Sequence, residues 1–199
     1  MNSRLRVKNN FDVIVGDYPF HQQLSDELVP VLENHPDVQG RKTNVKATMT
    51  DWDFDLEPKS SRIKKLKLYL SSIITKEFTY NSIGEYRPPM RILNFWANVY
   101  RKGDYTLPHA HWPLCDFSFA YFLKSKWYCP PLVFTHSGAR IRPKAGRFVI
   151  FNSTMLHHVP KHRFKKSRIT ISGNWSIPRD DYDPNQTKSP AIEYYREES

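Results

Sequence analysis

Cysteine is nearly absent from this 199-residue chain: Cys115 and Cys129 are the only two. Two thiols cannot form a disulfide framework, which excludes the small bridged secreted scaffolds and suits a reducing compartment. Long apolar runs are missing as well. No stretch reaches the length a bilayer demands, and the opening MNSRLRVKNNFDV lacks the apolar segment of a secretory leader. The sequence therefore predicts a cytoplasmic protein with no membrane partner. It has no internal repeat and no low-complexity tract. Acidic residues are outnumbered, 20 against 30 basic, leaving a net charge of +10. That excess admits an acidic protein or a nucleic acid as partner without selecting any chemistry. The 39% hydrophobic and 14% aromatic content excludes wholesale disorder, and at this length it suits one domain.

Periodicity divides the chain. Phe11, Val13 and Val15 alternate as a short strand does. Leu24, Leu28, Val31 and Leu32 form a helical stripe over 22–34, interrupted by Pro30. From Val38 to Glu57 the chain is polar. Ser60 and Ser61 can cap a helix that carries Ile63, Leu66, Leu70, Ile73, Ile74 and Phe78 at three-to-four spacing. After Pro88–Pro89 the period changes to two. Strands are predicted at Met90–Arg101, Asp116–Lys124, Leu132–Thr135, Arg147–Asn152 and Arg168–Trp175, separated by Gly- and Pro-bearing turns. Helices followed by evenly spaced antiparallel strands predict a mainly β fold with supporting α: a jelly-roll, cupin-like core. The expected organisation is helical support over 1–89, a strand-rich core over 90–177 and an extended tail over 178–199.

Strand parity gives the core a polar inside. Asn94, Trp96, Asn98 and Tyr100 share one face of their strand, opposite Leu93, Phe95, Ala97 and Val99. Asp116, Ser118, Ala120 and Phe122 share a face in the second strand, and Arg168, Thr170, Ser172 and Asn174 share one in the last. A solvated outer face would also alternate. Trp96, Tyr100, Ala120 and Phe122 are poor choices for water, however, and fit a lined interior pocket better.

Into this half fall four histidines. His109 and His111, two apart in Leu-Pro-His-Ala-His-Trp-Pro, project to one side of an extended segment and can reach a single cation. His157 and His158 follow a later strand, and Asp116 adds a carboxylate nearby. Imidazoles suit iron and zinc, and three on one face leave the other positions open. Arg168 lies eleven residues after His157, on the face carrying Thr170, Ser172 and Asn174. A guanidinium with hydroxyls beside it, inside a barrel, is a carboxylate receptor. Alternatively, Arg168 merely ends the basic run from Lys161.

The ordered set Asn98-Val-Tyr-Arg-Lys-Gly-Asp-Tyr, Leu-Pro-His109-Ala-His111, Ser118-Phe-Ala-Tyr-Phe-Leu, Pro130-Pro-Leu-Val-Phe, Gly146-Arg-Phe-Val-Ile-Phe-Asn-Ser-Thr-Met-Leu-His157 and Arg168-Ile-Thr-Ile-Ser resembles the 2-oxoglutarate/Fe(II)-dependent oxygenase superfamily. It most resembles a little-characterised branch found in marine bacteria and tailed phages, which places a phage-encoded copy in the host cytoplasm. The resemblance covers about residues 90–176 and leaves the helices and the tail without a parallel. It implies a dioxygenase that couples decarboxylation of 2-oxoglutarate to succinate with hydroxylation of a substrate, peptidyl or prolyl groups among them. Dioxygen and 2-oxoglutarate would be its partners and Fe(II) its metal. Metal ligation falls on His109, His111 and His157. Co-substrate binding falls on Arg168, with Thr170, Asn98 and Tyr100 beside it, and Arg168 is the catalytic assignment. The superfamily mostly uses His-x-Asp or His-x-Glu, so His-x-His is a departure. Either the site is a three-histidine triad with Asp116 behind it, or Asp116 replaces one histidine. His158 points the other way from His157 in an extended segment. Trp96, Trp112 and Tyr105 are candidate pocket walls.

Two other readings remain at this point. Arg62, Lys64, Lys65 and Lys67, with the 161–168 run, suit phosphate contacts in a nucleic-acid-binding or nucleic-acid-modifying protein on a cupin-like scaffold. A zinc site built from His109, His111, Cys115 and Cys129 is the other, although no Cys-x-x-Cys knuckle is present.

Overall fold

The two helical stripes expected from the sequence fold as α1 (His21–Glu33) and α2 (Ser61–Thr79) in the computed structural model, which describes residues 3–7, 11–54, 61–79 and 90–177. Leu24, Leu28 and Leu32 of α1 are buried at four-residue intervals, and Ile63, Leu66, Leu70, Ile73 and Ile74 of α2 are buried along one stripe at three-to-four spacing. Pro30 removes one intrahelical donor but does not stop α1. One turn later, Asn34 caps the end with a 2.9 Å hydrogen bond from its side-chain amide to the Pro30 carbonyl.

The described residues also form twelve strands: β1 (Ser3–Val7), β2 (Phe11–Asp17), β3 (Val45–Lys46), β4 (Thr48–Met49), β5 (Arg91–Tyr100), β6 (Tyr105–His109), β7 (Phe117–Lys124), β8 (Leu132–Phe134), β9 (Ala139–Ile141), β10 (Arg147–Asn152), β11 (His157–Val159) and β12 (Arg168–Ser176). They form a seven-stranded sheet in the order β1-β2-β10-β7-β12-β5-β4 and a five-stranded sheet in the order β3-β6-β11-β8-β9. Every pairing within the two sheets is antiparallel.

Alternation along the long strands gives the molecule two cores. Phe95, Ala97, Val99, Phe119, Tyr121, Ile169, Ile171 and Trp175 turn to one face of the large sheet and pack with the leucine and isoleucine stripes of α1 and α2. Trp96, Tyr100, Ala120 and Phe122 turn the opposite way and pack with Leu132, Phe134, Ile141 and Val159 of the small sheet. The polar faces expected from the sequence therefore look inward, between the sheets. Gly173 sits where the packing leaves no room. A Cβ there would lie 2.5 Å from Phe119 Cε1 and 2.7 Å from the Asn94 carbonyl oxygen.

Two expectations need revision. The segment before residue 90 is more than helical support, because β1, β2 and β4 belong to the large sheet and β3 to the small one. The polar stretch after Val38 hides β3 and β4, each two residues long, too short for any period to show. The possible cap Ser60 and the tail from residue 178 lie outside the described residues.

Candidate metal centre and anion site

The two elements that carry the histidines are neighbours in the small sheet, and the register sets His157 of β11 directly opposite His109 of β6. His111 lies just beyond β6, held by its backbone N–H donating to the Ser153 carbonyl at 2.9 Å. Ser153 N–H in turn donates to the Asp116 carbonyl at 3.0 Å. The three rings consequently converge. Centroids are 4.4 Å apart for His109–His157, 5.0 Å for His109–His111 and 5.2 Å for His111–His157. One ligand atom from each lies within 4.8 Å of the others, close enough to share one ion.

Their chemistry suits that role. Nδ1–H of His109 donates to the Leu107 carbonyl at 2.8 Å, and Nδ1–H of His157 donates to the Met155 carbonyl at 2.8 Å. In each ring this leaves the Nε2 lone pair as the free donor atom. Burial holds all three imidazoles neutral: His111 is pushed down to about 3, His109 is lowered, and His157 lies well below the usual histidine value. Neutral imidazole is the form that binds a cation.

A cavity joins this triad to the face of β5, β7 and β12. Arg168 lines it and is 1% exposed. Its Nη1 donates to the Pro130 carbonyl at 2.8 Å, while its Nε meets no acceptor. The guanidinium lies 5.1 Å from the Tyr100 ring centroid and 5.2 Å from that of Phe122. Among the described residues it makes no ion pair. Burial lowers its pKa, yet arginine stays charged in proteins, so this is a cation without a counter-charge. Tyr100 does not supply one. Burial raises its phenol further, and the hydroxyl is engaged with Thr106 Oγ1 at 2.8 Å.

Thr170 and Asn98 face each other across β12 and β5, and the Asn98 amide reaches Thr170 Oγ1 at 3.5 Å and Ser172 Oγ at 3.4 Å. Asn98 Oδ1 has no partner. All seven residues singled out from the sequence, His109, His111, His157, Arg168, Thr170, Asn98 and Tyr100, line this one cavity. Trp96 does so too, whereas Trp112 is 58% exposed. Tyr105 is not among the lining residues. Two contributors went unseen in the sequence. The Pro130 carbonyl is backbone and leaves no side-chain signature. Thr106 lies in β6, whose short and mixed composition carries no clear alternation.

Several alternatives fall away. Asp116 is not a member of the triad; its Oδ2 accepts hydrogen bonds from Ser176 Oγ at 2.9 Å and the Ile177 N–H at 2.7 Å, fastening the end of β12. His158 turns away and meets Thr135 Oγ1 at 2.9 Å. The cysteines join no metal-binding group among the described residues, and burial pushes the Cys115 thiol up to about 12, far from the thiolate that zinc requires. On α2, Arg62 is committed to Glu27 at 2.6 Å. No described helix is long and apolar enough to cross a membrane.

No protein-family model matches the chain, and no curated protein is detectably similar to it in sequence. Solved structures are similar in fold. The viral collagen prolyl hydroxylase of Paramecium bursaria Chlorella virus-1, in its 2-oxoglutarate complex, gives a TM-score of 0.63 at 12% identity, covering 83% of this chain and 96% of that one. The Trichoplax adhaerens prolyl hydroxylase, in complex with a hypoxia-inducible-factor peptide fragment, gives 0.63 at 16%, covering 85% and 84%. HygX of Streptomyces hygroscopicus, with nickel and 2-oxoglutarate bound, gives 0.60 at 10%, covering 83% and 82%. Two antiparallel sheets with the cavity between them, buttressed by helices, are thus the jelly-roll fold that this chain has in common with 2-oxoglutarate/Fe(II) oxygenases.

Proposed function

We propose that the protein is an Fe(II)- and 2-oxoglutarate-dependent dioxygenase that hydroxylates its substrate. The observation that carries this reading is a buried, uncompensated guanidinium in the same cavity as three neutral imidazoles. Such a cavity asks for two things at once, a cation at the triad and an anion at Arg168. A molecule that chelates the first and ends in a carboxylate at the second satisfies both. Fe(II) and 2-oxoglutarate fit that description, and when bound they supply oxidative decarboxylation of the co-substrate to succinate and carbon dioxide, coupled to oxygen insertion into a C–H bond.

The protein's part is to bind and orient. His109, His111 and His157 would hold the metal on one face, their rings fixed by the Leu107 and Met155 carbonyls and by the backbone chain from Ser153. Arg168 would receive the distal carboxylate, with Thr170 supplying a hydroxyl and Asn98 an amide. The donor set carries no charge, so the negative charge facing the metal has to come from the co-substrate.

The substrate would approach through a second cavity that shares His109, His111 and Trp96 with the first. Its other walls are Thr43, Asn44, Val45, Trp52, Asn94, Leu114 and Asn174, all without charge. A neutral reacting group such as a peptidyl or prolyl carbon suits those walls better than a phosphate-bearing one. The cytoplasmic reading rests on two free, buried thiols. The resemblance to the branch from marine bacteria and phages rests on the ordered motifs alone.

Adding Fe(II) and then 2-oxoglutarate without oxygen tests the proposal. A visible charge-transfer band should form, and succinate should accumulate once air is admitted. Absence of both would sink it. His157→Ala should lose iron; full iron affinity in that variant would overturn the ligand assignment.

A further inference from the structure

The basic run 161–168 is only partly absorbed by the cavity. Arg168 turns inward, while Lys161, Arg163, Lys165 and Lys166 remain exposed, joined by exposed Lys126 of the β7–β8 loop. No described acidic group pairs with any of these five. The stretches 124–130 and 160–168 contain no Asp or Glu. This differs from α2, where Arg62 is tied to Glu27.

Aromatic rings run through the same surface. Trp127 is 84% exposed and Phe164 is 41% exposed. Tyr128 links them, with centroids 5.7 Å from Trp127 and 4.5 Å from Phe164. An indole this exposed has no packing role, and an ordinary solvated lysine face has no use for it.

The surface is also preformed. His162, 1% exposed, donates from Nε2 to the Lys166 carbonyl at 2.7 Å, and its N–H donates to the Asp104 carbonyl at 2.7 Å. The opposing loop is closed by the Cys129 N–H donating to the Lys126 carbonyl at 3.0 Å. Little ordering is left for a ligand to impose.

We propose that these two loops form a docking surface for single-stranded nucleic acid. Unpaired cations track a phosphate backbone, and exposed rings stack on bases that a duplex would keep hidden. An acidic peptide would match the charge but leave the rings without partners. The surface acts by binding and uses none of the three histidines, so iron binding serves as the control.

The test uses the full chain and a labelled twelve-nucleotide oligo-dT, followed by fluorescence anisotropy at low salt. Binding should weaken as salt rises, with a log–log slope of about −0.7 for each phosphate neutralised and no steeper than about −3.5 for five cations. Trp127→Ala should weaken binding roughly tenfold with the slope unchanged, and Trp127→Phe should retain most of the affinity. Lys165→Glu with Lys166→Glu should lower both affinity and slope, while iron binding stays at the parent level. A polyglutamate peptide of equal charge should compete poorly. The proposal is overturned by no binding at low salt, by a Trp127→Ala variant that binds as the parent does, or by polyglutamate competing on equal terms; the last result would assign the surface to an acidic protein.

Discussion

Burying a guanidinium whose Nε meets no acceptor costs several kcal/mol, by order of magnitude, unless an anion joins it. At Arg168, the proposed role and stability therefore oppose each other. Replacing it with Met removes a buried charge and keeps an unbranched stem against Tyr100 and Phe122. Without 2-oxoglutarate, the thermal midpoint of Arg168→Met should equal or exceed that of the parent. The upshift expected of the parent with 2-oxoglutarate should vanish, with affinity falling about 100-fold or more as a charge-assisted contact is lost. A midpoint well below the parent's would mean that the arginine serves the fold. The sequence showed this residue's face but not its isolation: parity placed Arg168 beside Thr170, whereas the missing counter-charge and the Pro130 carbonyl emerge only once the chain is folded.

Single elements explain which parts were legible. β5, β7 and β12 are eight to ten residues long, so alternation stands out and both of their faces were readable. β3, β4, β9 and β11 are two or three residues long and carry no period. Yet β11 matters most for the triad, because its register places His157 opposite His109. That pairing is a tertiary fact, and spacing could only make it plausible. The long strands carry a prediction of their own. Gly173→Ala pushes a methyl to 2.7 Å from the Asn94 carbonyl oxygen, which β5 cannot easily move. It should destabilise the protein by about 1–3 kcal/mol in urea unfolding.

A second prediction concerns α1. Its last residue, Glu33, accepts hydrogen bonds from Lys124 of β7 and from Ser167 next to β12, the latter at 2.7 Å. These contacts, the Lys124 bond first, hold the carboxyl below its ordinary 4.5. A depressed carboxylate stabilises the fold above its unfolded pKa, and the contribution fades as pH falls through the folded one. Glu33→Gln should therefore lower stability at pH 7, and the difference should shrink as pH falls below 4.5 and through the lower folded value. The side chain is 38% exposed, so solvent screening should keep the difference below about 1 kcal/mol in paired urea titrations.

In the whole molecule, the helix-then-strand order was legible because the hydrophobic period changes from 3.6 to 2 near residue 90. The contribution of the N-terminal segment to both sheets was not. β2 completes the large sheet by pairing with β10, more than 120 residues away in the chain, and no local pattern encodes such a partner. The net charge of +10 proved to be distributed by task. One cation is sealed in the cavity, some are paired across elements, and five are gathered on two loops.

The division of the cavity between sheets has a further consequence. His109 and His157 belong to the small sheet, whereas Arg168 belongs to the large one. Triad and guanidinium are thus carried by opposite layers, whose separation side-chain packing fixes. Such a caliper measures chain length. Oxaloacetate should be too short to touch both jaws and 2-oxoadipate too long to close them. Competition against 2-oxoglutarate should show each binding at least tenfold more weakly, and equal binding of all three would mean that the layers slide.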